Sequence, residues 1–144
     1  VYWKARVRIM GVAIKPEFVE RIQTAVYMWF TTVRADGMPQ PTPVWFVWED
    51  GTFLVYTIEQ SQKHRNLLEH PQVALSYSST LDADDYLVIM GEARVDPSAP
   101  PPNQHAQYLA KYAAAIPEIG MTPDSFAQQF SVPVRITPTH VRGE

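Results

Sequence analysis

Apolar and polar positions change period several times along the 144 residues, and each change marks an element. Between Pro16 and Thr24, Phe18, Val19 and Ile22 recur at helical spacing, with Pro16 suited to a first turn, which predicts a short amphipathic helix. From Ala25 to Arg34 (AVYMWFTTVR) the chain turns β-branched and aromatic, reverses at Ala35-Asp36-Gly37, and resumes strand character from Pro41 to Glu49 (PTPVWFVWE). After Asp50-Gly51 a third such run spans Thr52 to Ile58 (TFLVYTI), so the pattern predicts an antiparallel meander whose two Asp-Gly turns set its register. Ser61 to His70 (SQKHRNLLEH) reads as a helix with Ser61 as N-cap, Leu67 and Leu68 facing inward, and Pro71 stopping it. Val73 to Ser79 and Asp85 to Val95 predict two more strands, joined by the polar turn Ser79 to Asp84. A proline-rich loop from Asp96 to Pro102 precedes predicted helices at Asn103 to Ala115, which buries a stripe of Tyr108, Leu109 and Tyr112, and at Pro123 to Phe130. Val132 to Val141 closes as a last strand. Six strands with a helix inserted between the third and fourth predict a mainly β (α+β) fold built as a small barrel, with no repeat of solenoid or propeller period.

Composition narrows the function classes. The length suits one domain over residues 1–144, with Val1 to Ile9, which precede Met10, read as an extension of little weight. The absence of cysteine removes disulfides, thiolate metal sites and thiol nucleophiles, and with no signal-peptide pattern it leads us to expect a cytoplasmic protein. No apolar run reaches the length of a membrane span, and a net charge of −3 argues against a nucleic-acid partner, so the positive site for any anionic ligand must be local. Four Trp, seven Tyr, six Phe and 13 Pro against 6 Gly suit a sheet core with stiff connections rather than a glycine-loop nucleotide fold. His64, His70, His105 and His140 are scattered, so no metal site is expected, and Asp82, Asp84 and Asp85 read as an acidic turn rather than a calcium loop. Arg94, Arg135 and Arg142 read as surface ends of strands. No GxSxG, Walker A or GxGxxG pattern is present.

Two segments carry candidate chemistry. In Tyr56 to Asn66 (YTIEQSQKHRN) a strand ends, a loop follows and a helix begins with Lys63, His64 and Arg65 in its first turn. Each cation there opposes the positive end of the helix dipole, by about 0.3–1 kcal/mol. Two readings fit: a phosphate held by the first-turn N–H groups, the Thr57 and Ser61 hydroxyls and the Lys63 ammonium, or a solvated helix start with Glu59 compensating the charge. In Pro41 to Trp48, Pro41 and Pro43 remove two ladder donors, which places the segment at an edge or barrel rim. Val44 to Phe46 could there present a flat surface to a planar ring. Phe46 and Trp48 are expected in the core; Trp45 fits it less easily.

With these residues in place, YTIEQSQKHRNLLEHPQVALSY resembles the pyridoxamine-5′-phosphate oxidase-like split β-barrel superfamily, whose strand end, serine and lysine before a helix bind the phosphate of a flavin. The matching positions are Tyr56, Thr57, Ser61, Gln62 and Lys63, with His70-Pro71-Gln72-Val73 as the strand entry. WFTTVRADGMPQPTPVWF, MGEARVD, KYAAAIPEIGMTPDSFAQQFSVPVRI and TPTHVRG are similar to the actinobacterial branch of enzymes dependent on the deazaflavin coenzyme F-420, and the resemblance runs from about Phe18 to Gly143. It implies a six-stranded antiparallel split β-barrel of the FMN-binding kind. It also implies an oxidoreductase in which reduced F-420 passes a hydride from its C5 to a small electrophilic acceptor, and a homodimer with the cofactor sites between protomers. The cofactor-binding residues it implies are Lys63, Ser61 and Thr57 at the phosphate, with Tyr56 and Gln62 beside them, and Pro43, Val44 and Trp45 at the ring. Arg65, with His64 or Arg34, is implied at the acidic tail; no catalytic acid or base and no metal is assigned. Flavin-dependent oxidases carry an arginine on the second strand where this chain has Thr42, Pro43 and Val44, which sets vitamin B6 oxidation aside and favours F-420 over FMN. The alternatives are an FMN-binding oxidoreductase of the same fold and a non-enzymatic carrier of a tetrapyrrole, a fatty acid or the deazaflavin.

Overall fold

The structure, a computed structural model, describes residues 12–143, so the expected extension at residues 1–9 lies outside it. A first helix, α1 (Pro16–Thr24), leads into β1 (Met28–Val33), β2 (Pro39–Val44), β3 (Val47–Glu49) and β4 (Thr52–Thr57). Helix α2 (Gln62–Glu69) follows, then β5 (Gln72–Ser78) and β6 (Tyr86–Val95). A 3₁₀ turn (Pro102–Gln104), α3 (Ala106–Tyr112), α4 (Ala115–Glu118) and α5 (Pro123–Gln129) precede the last strand, β7 (Val132–Gly143). All strand pairs are antiparallel, in the order β2-β1-β5-β6-β7-β4-β3. The two outer members, β2 and β3, are consecutive in the chain and separated only by Trp45 and Phe46. One bent strand thus pairs with β1 through its first half and with β4 through its second, closing the sheet into a barrel. Among the described residues no helix is long and apolar enough to cross a membrane.

The six expected strands are therefore present, with the second broken in two. The break corrects the reading of Pro41 to Glu49 as one strand, and it has a specific chemical cause. Bending removes the ladder partners of the Phe46 peptide group, and α3 replaces them. The Phe46 N–H donates to the Tyr112 hydroxyl at 2.9 Å, the Lys111 ammonium donates to the Phe46 carbonyl at 3.0 Å, and the Tyr112 hydroxyl donates onward to the Val26 carbonyl. Lys111 Nζ also lies 3.8 Å from the centre of the Phe46 ring, a cation–π contact.

Alternation along the strands sorts the apolar residues into two clusters. Phe46, Phe53 and Val55 point into the barrel with Phe30, Leu75, Ile89 and Val134. Val47, Leu54 and Tyr56 point outward, where they would be exposed in a bare barrel, and are covered instead by Tyr108, Tyr112, Ile116 and Phe126 of the helices. Each large apolar side chain buried in this way contributes about 1.5–3 kcal/mol. Turn chemistry holds the register: Asp50 and Gly51 take φ of 53° and 73° between the paired residues Glu49 and Thr52. A bulge at Met90/Gly91 bends β6, and a Cβ on Gly91 would lie 2.5 Å from the Thr137 carbonyl oxygen.

Three other expectations change. Leu68 is 64% exposed, because only one of two adjacent helical positions can face the sheet, and Leu67 takes that place at 2%. The single helix expected from Asn103 to Ala115 is interrupted at His105, whose Nδ1 accepts the Tyr108 N–H and starts α3 afresh. Arg135 is not a surface strand end. Its guanidinium is largely buried beneath the proline loop, bonded to Glu49 at 2.7 Å and Asp96 at 3.1 Å, while His105 Nε2 lies 3.0 Å from the other Glu49 oxygen.

Two measurements test the strand break. Tyr112→Phe strands the Phe46 N–H and the Val26 carbonyl together and lowers unfolding free energy in urea by about 1–3 kcal/mol; a change below about 0.5 kcal/mol would show the break to be held by something else. Burial holds the Lys111 amine down to about 8 against its ordinary 10.5, so between these values the unfolded chain binds more protons than the folded one. Stability then rises with pH through that window, by the sign of the proton linkage. Burial also lowers Lys63, which adds to the same slope, so the measure is the difference: Lys111→Met flattens the rise in melting temperature seen in the wild type from pH 8 upward.

Candidate functional site

The loop between β4 and α2 is built from its own side chains. Ser61 caps the helix, its Oγ accepting the His64 N–H at 3.3 Å and lying 3.2 Å from Thr57 Oγ1. Gln60 adopts a left-handed φ of 65°, unusual for a residue with a Cβ, and both ends of that residue are held. Its N–H donates to His64 Nδ1 at 3.0 Å and its carbonyl accepts from Arg65 at 2.6 Å. A second Arg65 nitrogen donates to Gln62 Oε1, and Gln62 Nε2 donates to Asn66 Oδ1. Asn66 in turn donates to Thr32 Oγ1 and Gln40 Oε1, tying α2 across β1 and β2.

Lys63 is left out of this web. It is half-buried, burial lowers its pKa, and among the described residues no carboxylate lies within ion-pair distance of it. Glu59 does not compensate it, and the first turn of α2 contains no acid. An ammonium at the positive end of a helix, partly desolvated and unpaired, is an electrostatic arrangement that a bound anion completes.

From Lys63 a cleft of about 200 Å³ runs beneath the helical layer. Seven of the nine residues that sequence reasoning singled out line it: Ser61, Lys63, Thr57 and Tyr56 at the loop end, and Pro43, Val44 and Trp45 along the bent strand. Gln62 and Arg65 do not, since their side chains are engaged in holding the loop. His64 is taken up in the same way, and Arg34 pairs with Asp36 at 2.8 Å at the tip of the first hairpin. The other wall comes from residues that sequence reasoning read only as a buried stripe or left aside: Tyr108, Ile119, Phe126 and Phe130. Trp45 stacks on Tyr112 with centroids 4.6 Å apart and planes at 8°, and on Phe126 at 5.6 Å and 15°. Phe126 stacks on Phe130 at 4.4 Å and 19°. These stacked rings give the cleft an apolar, aromatic side, a slot with its one ammonium at the end. The i, i+4 spacing of Phe126 and Phe130, and of Tyr108 and Tyr112, was the available signal for this wall. Lys63 also lines a second, more polar recess of about 380 Å³ with Gln40, Thr42 and Gln62, where Thr42 Oγ1 is buried without a partner.

Several solved structures share this architecture. An F420 reductase superposes with a TM-score of 0.69 at 24% identity, over 91% of this chain and 98% of the other. The conserved hypothetical protein Rv2991 from Mycobacterium tuberculosis gives 0.72 at 22%, over 94% and 87%. HutZ, the heme storage protein from Vibrio cholerae, gives 0.63 at 20%, over 92% and 95%. At these identities the likeness is one of fold. No curated protein sequence matches significantly. The sequence profile of the pyridoxamine 5′-phosphate oxidase family, however, matches residues 14–143, from the start of α1 through the bent strand, the Lys63 loop and the closing strand, so the chain belongs to the pyridoxamine 5′-phosphate oxidase family.

Proposed function

We propose that the protein is an oxidoreductase that uses the reduced deazaflavin F-420 for hydride transfer to a small electrophilic organic acceptor, such as a conjugated alkene or a quinone. The observation that carries this reading is the unpaired, half-buried Lys63 ammonium at one end of an aromatic-walled slot, a match for a ligand with a phosphate at one end and a planar ring at the other. Lys63, the Ser61 and Thr57 hydroxyls and the first-turn N–H groups of α2 hold the phosphate, and Pro43, Val44 and Trp45 support the ring. Gln62 and Arg65 serve the site by fixing the Gln60 turn, which orients Ser61 and Lys63. When bound, the reduced deazaflavin supplies the hydride; the chain binds, orients and keeps water from the ring. The likeness to an F420 reductase and the Thr42-Pro43-Val44 sequence, where FMN-dependent oxidases place an arginine, favour F-420 over FMN.

The same proposal includes a homodimer. Trp29 and Met90 are exposed on the outer face of the sheet, and Trp29 pairs across the ladder with Pro43, so this apolar face runs into the rim of the cleft. A partner on that face would complete the cleft. Sedimentation of the wild type as a dimer and of Trp29→Glu as a monomer with weakened cofactor binding is the expected outcome; a wild-type monomer at micromolar concentration contradicts it.

Lys63→Ala lowers F-420 affinity by about 2–3 kcal/mol, roughly 30- to 150-fold, the worth of a charge-assisted contact, with a melting temperature no lower than that of the wild type. Because only the protonated amine attracts the phosphate, wild-type affinity falls as pH rises through the lowered Lys63 pKa, and the variant shows no such slope. Unchanged affinity in Lys63→Ala would falsify the phosphate assignment. Turnover of reduced F-420 with a panel of enones and quinones supports the enzyme; tight binding with no turnover across the panel supports a carrier instead.

A further inference from the structure

The Gln60 turn is held at its two ends by groups of different chemistry. The Ile58 carbonyl accepts the Ser61 N–H at 3.0 Å, which closes a four-residue turn and puts Gln60 third, where a positive φ favours glycine. A glutamine at φ 65° keeps that conformation only where its surroundings fix it. Its carbonyl is fixed by Arg65 at 2.6 Å, a guanidinium that donates at every physiological pH. Its N–H is fixed by His64 Nδ1 at 3.0 Å, and that acceptor exists only while the nitrogen carries no proton. The neutral imidazole with its proton on Nε2 is therefore the form that closes the turn.

Protonation turns Nδ1 into a donor aimed at another donor, so the Gln60 N–H loses its partner and the turn keeps only its carbonyl tie. No ion pair offsets the added charge: among the described residues no carboxylate lies within ion-pair distance of the His64 ring. Its neighbours on α2 are the cations Lys63 and Arg65, the first turn of that helix contains no acid, and Glu59, ahead of the turn, is exposed. Of the strands that α2 packs against, β1 has no titratable residue, and the charged residues of β6 are Glu92 and Arg94. Tyr56, at the end of β4, stays a neutral phenol because burial raises its pKa. A further positive charge on the first turn also opposes the helix dipole. The residue after Gln60 is Ser61, whose Oγ caps the helix and meets Thr57 Oγ1, and Lys63 stands two residues beyond it. What releases Gln60 therefore displaces the groups proposed to hold the phosphate.

We infer that His64 is a positioning residue and an acid-sensitive latch: with Nδ1 unprotonated it holds the Gln60 turn that sets Ser61 and Lys63 in place, and protonation of Nδ1 releases that turn and weakens anion binding. The inference rests on the reading of the Lys63 loop as a phosphate site, and it adds a regulation of that site. His64 touches no ligand in this role. Loss of the Lys63 proton limits binding on the alkaline side and gain of the His64 proton limits it on the acid side, so affinity passes through a maximum between them.

The test titrates the wild type, His64→Asn and His64→Leu with F-420 at about pH 7.5 and about pH 5.5, a span in which imidazoles change charge. Asparagine places Oδ1 where Nδ1 stands and accepts at both pH values, whereas leucine accepts at neither. His70, His105, His140 and the ionisable groups of F-420 are common to all three titrations, so the comparison isolates His64. At the higher pH the wild type and His64→Asn are expected to bind alike, with His64→Leu about three- to tenfold weaker, the worth of one hydrogen bond. At the lower pH the wild type is expected to fall to the level of His64→Leu while His64→Asn stays above both. Without ligand, amide hydrogen exchange at Gln60, read by NMR at the lower pH, is expected to be faster in the wild type than in His64→Asn. The same acid-side loss in the wild type and His64→Asn overturns the inference, as does equal affinity of His64→Leu and His64→Asn at the higher pH. Equal Gln60 exchange in the wild type and His64→Asn at the lower pH overturns the latch and leaves the phosphate reading standing. Failure of the wild type to bind F-420 at both pH values overturns the phosphate reading, and the gating of that site with it.

Discussion

The Phe46 peptide group is the constraint on which the rest of the molecule depends. A strand that closes a small barrel must leave one neighbour and join another, and at the point of transfer its backbone N–H and carbonyl lose their ladder partners while buried. Leaving such a pair unmet in an apolar surrounding is expensive, so the bend persists only where other groups meet them. Here they come from the side chains of one helix, the Tyr112 hydroxyl and the Lys111 ammonium. That helix must therefore lie across the bend, and the same docking lays Tyr108 and Tyr112 over the outer faces of β3 and β4 and stacks Trp45 against Tyr112 and Phe126. The cleft is the space left between the bent strand, the helical layer and the loop that leads into α2.

A second, polar attachment keeps the helical layer from sliding. Arg135, projecting outward from β7, binds Glu49 at the end of β3 and Asp96 at the start of the proline loop, while His105 joins Glu49 from the first turn of α3. Charges this far from water gain little net stability over apolar packing, but removing one partner leaves another uncompensated, so the network fixes geometry more than it adds free energy. Ser98 completes the Asp96 carboxylate, and its hydrogen bonds, with Arg135 alongside, hold the Asp96 pKa below the usual carboxylate range. The proline loop is thus tied at both ends, by Asp96 to β7 and by Pro100 to Tyr56 of β4.

What could be read from the sequence was what local chemistry decides. Pro16 and Thr24 bound α1, Ser61 and Pro71 bracket α2, and Asp-Gly pairs mark both hairpin turns, because caps and turns act over three or four residues. The loop end of the cleft was legible for the same reason: Thr57, Ser61 and Lys63 lie within seven residues of one another. The strand break was not, since the groups that stabilise it are 65 and 66 residues further along the chain. Nor was the burial of Arg135, whose outward-facing position becomes an interior one only when the proline loop folds over it. The helical wall fell between these cases. An aromatic stripe announces burial, but which of its rings lines the cleft, Tyr108 rather than Tyr112, follows from the register of α3 on the bend, and that is set by tertiary contacts alone.

A barrel closed by a bent strand thus holds an unpaired ammonium at the head of an aromatic slot, and we propose that this slot takes a phosphate-bearing deazaflavin. The most direct measurement is an equilibrium titration of the wild-type protein with F-420 and, separately, with FMN, followed by quenching of tryptophan fluorescence, to which Trp45 in the slot contributes. Saturable quenching by F-420 at lower concentration than by FMN is the predicted result. Tighter binding of FMN, or no quenching by F-420 at any attainable concentration, would contradict it.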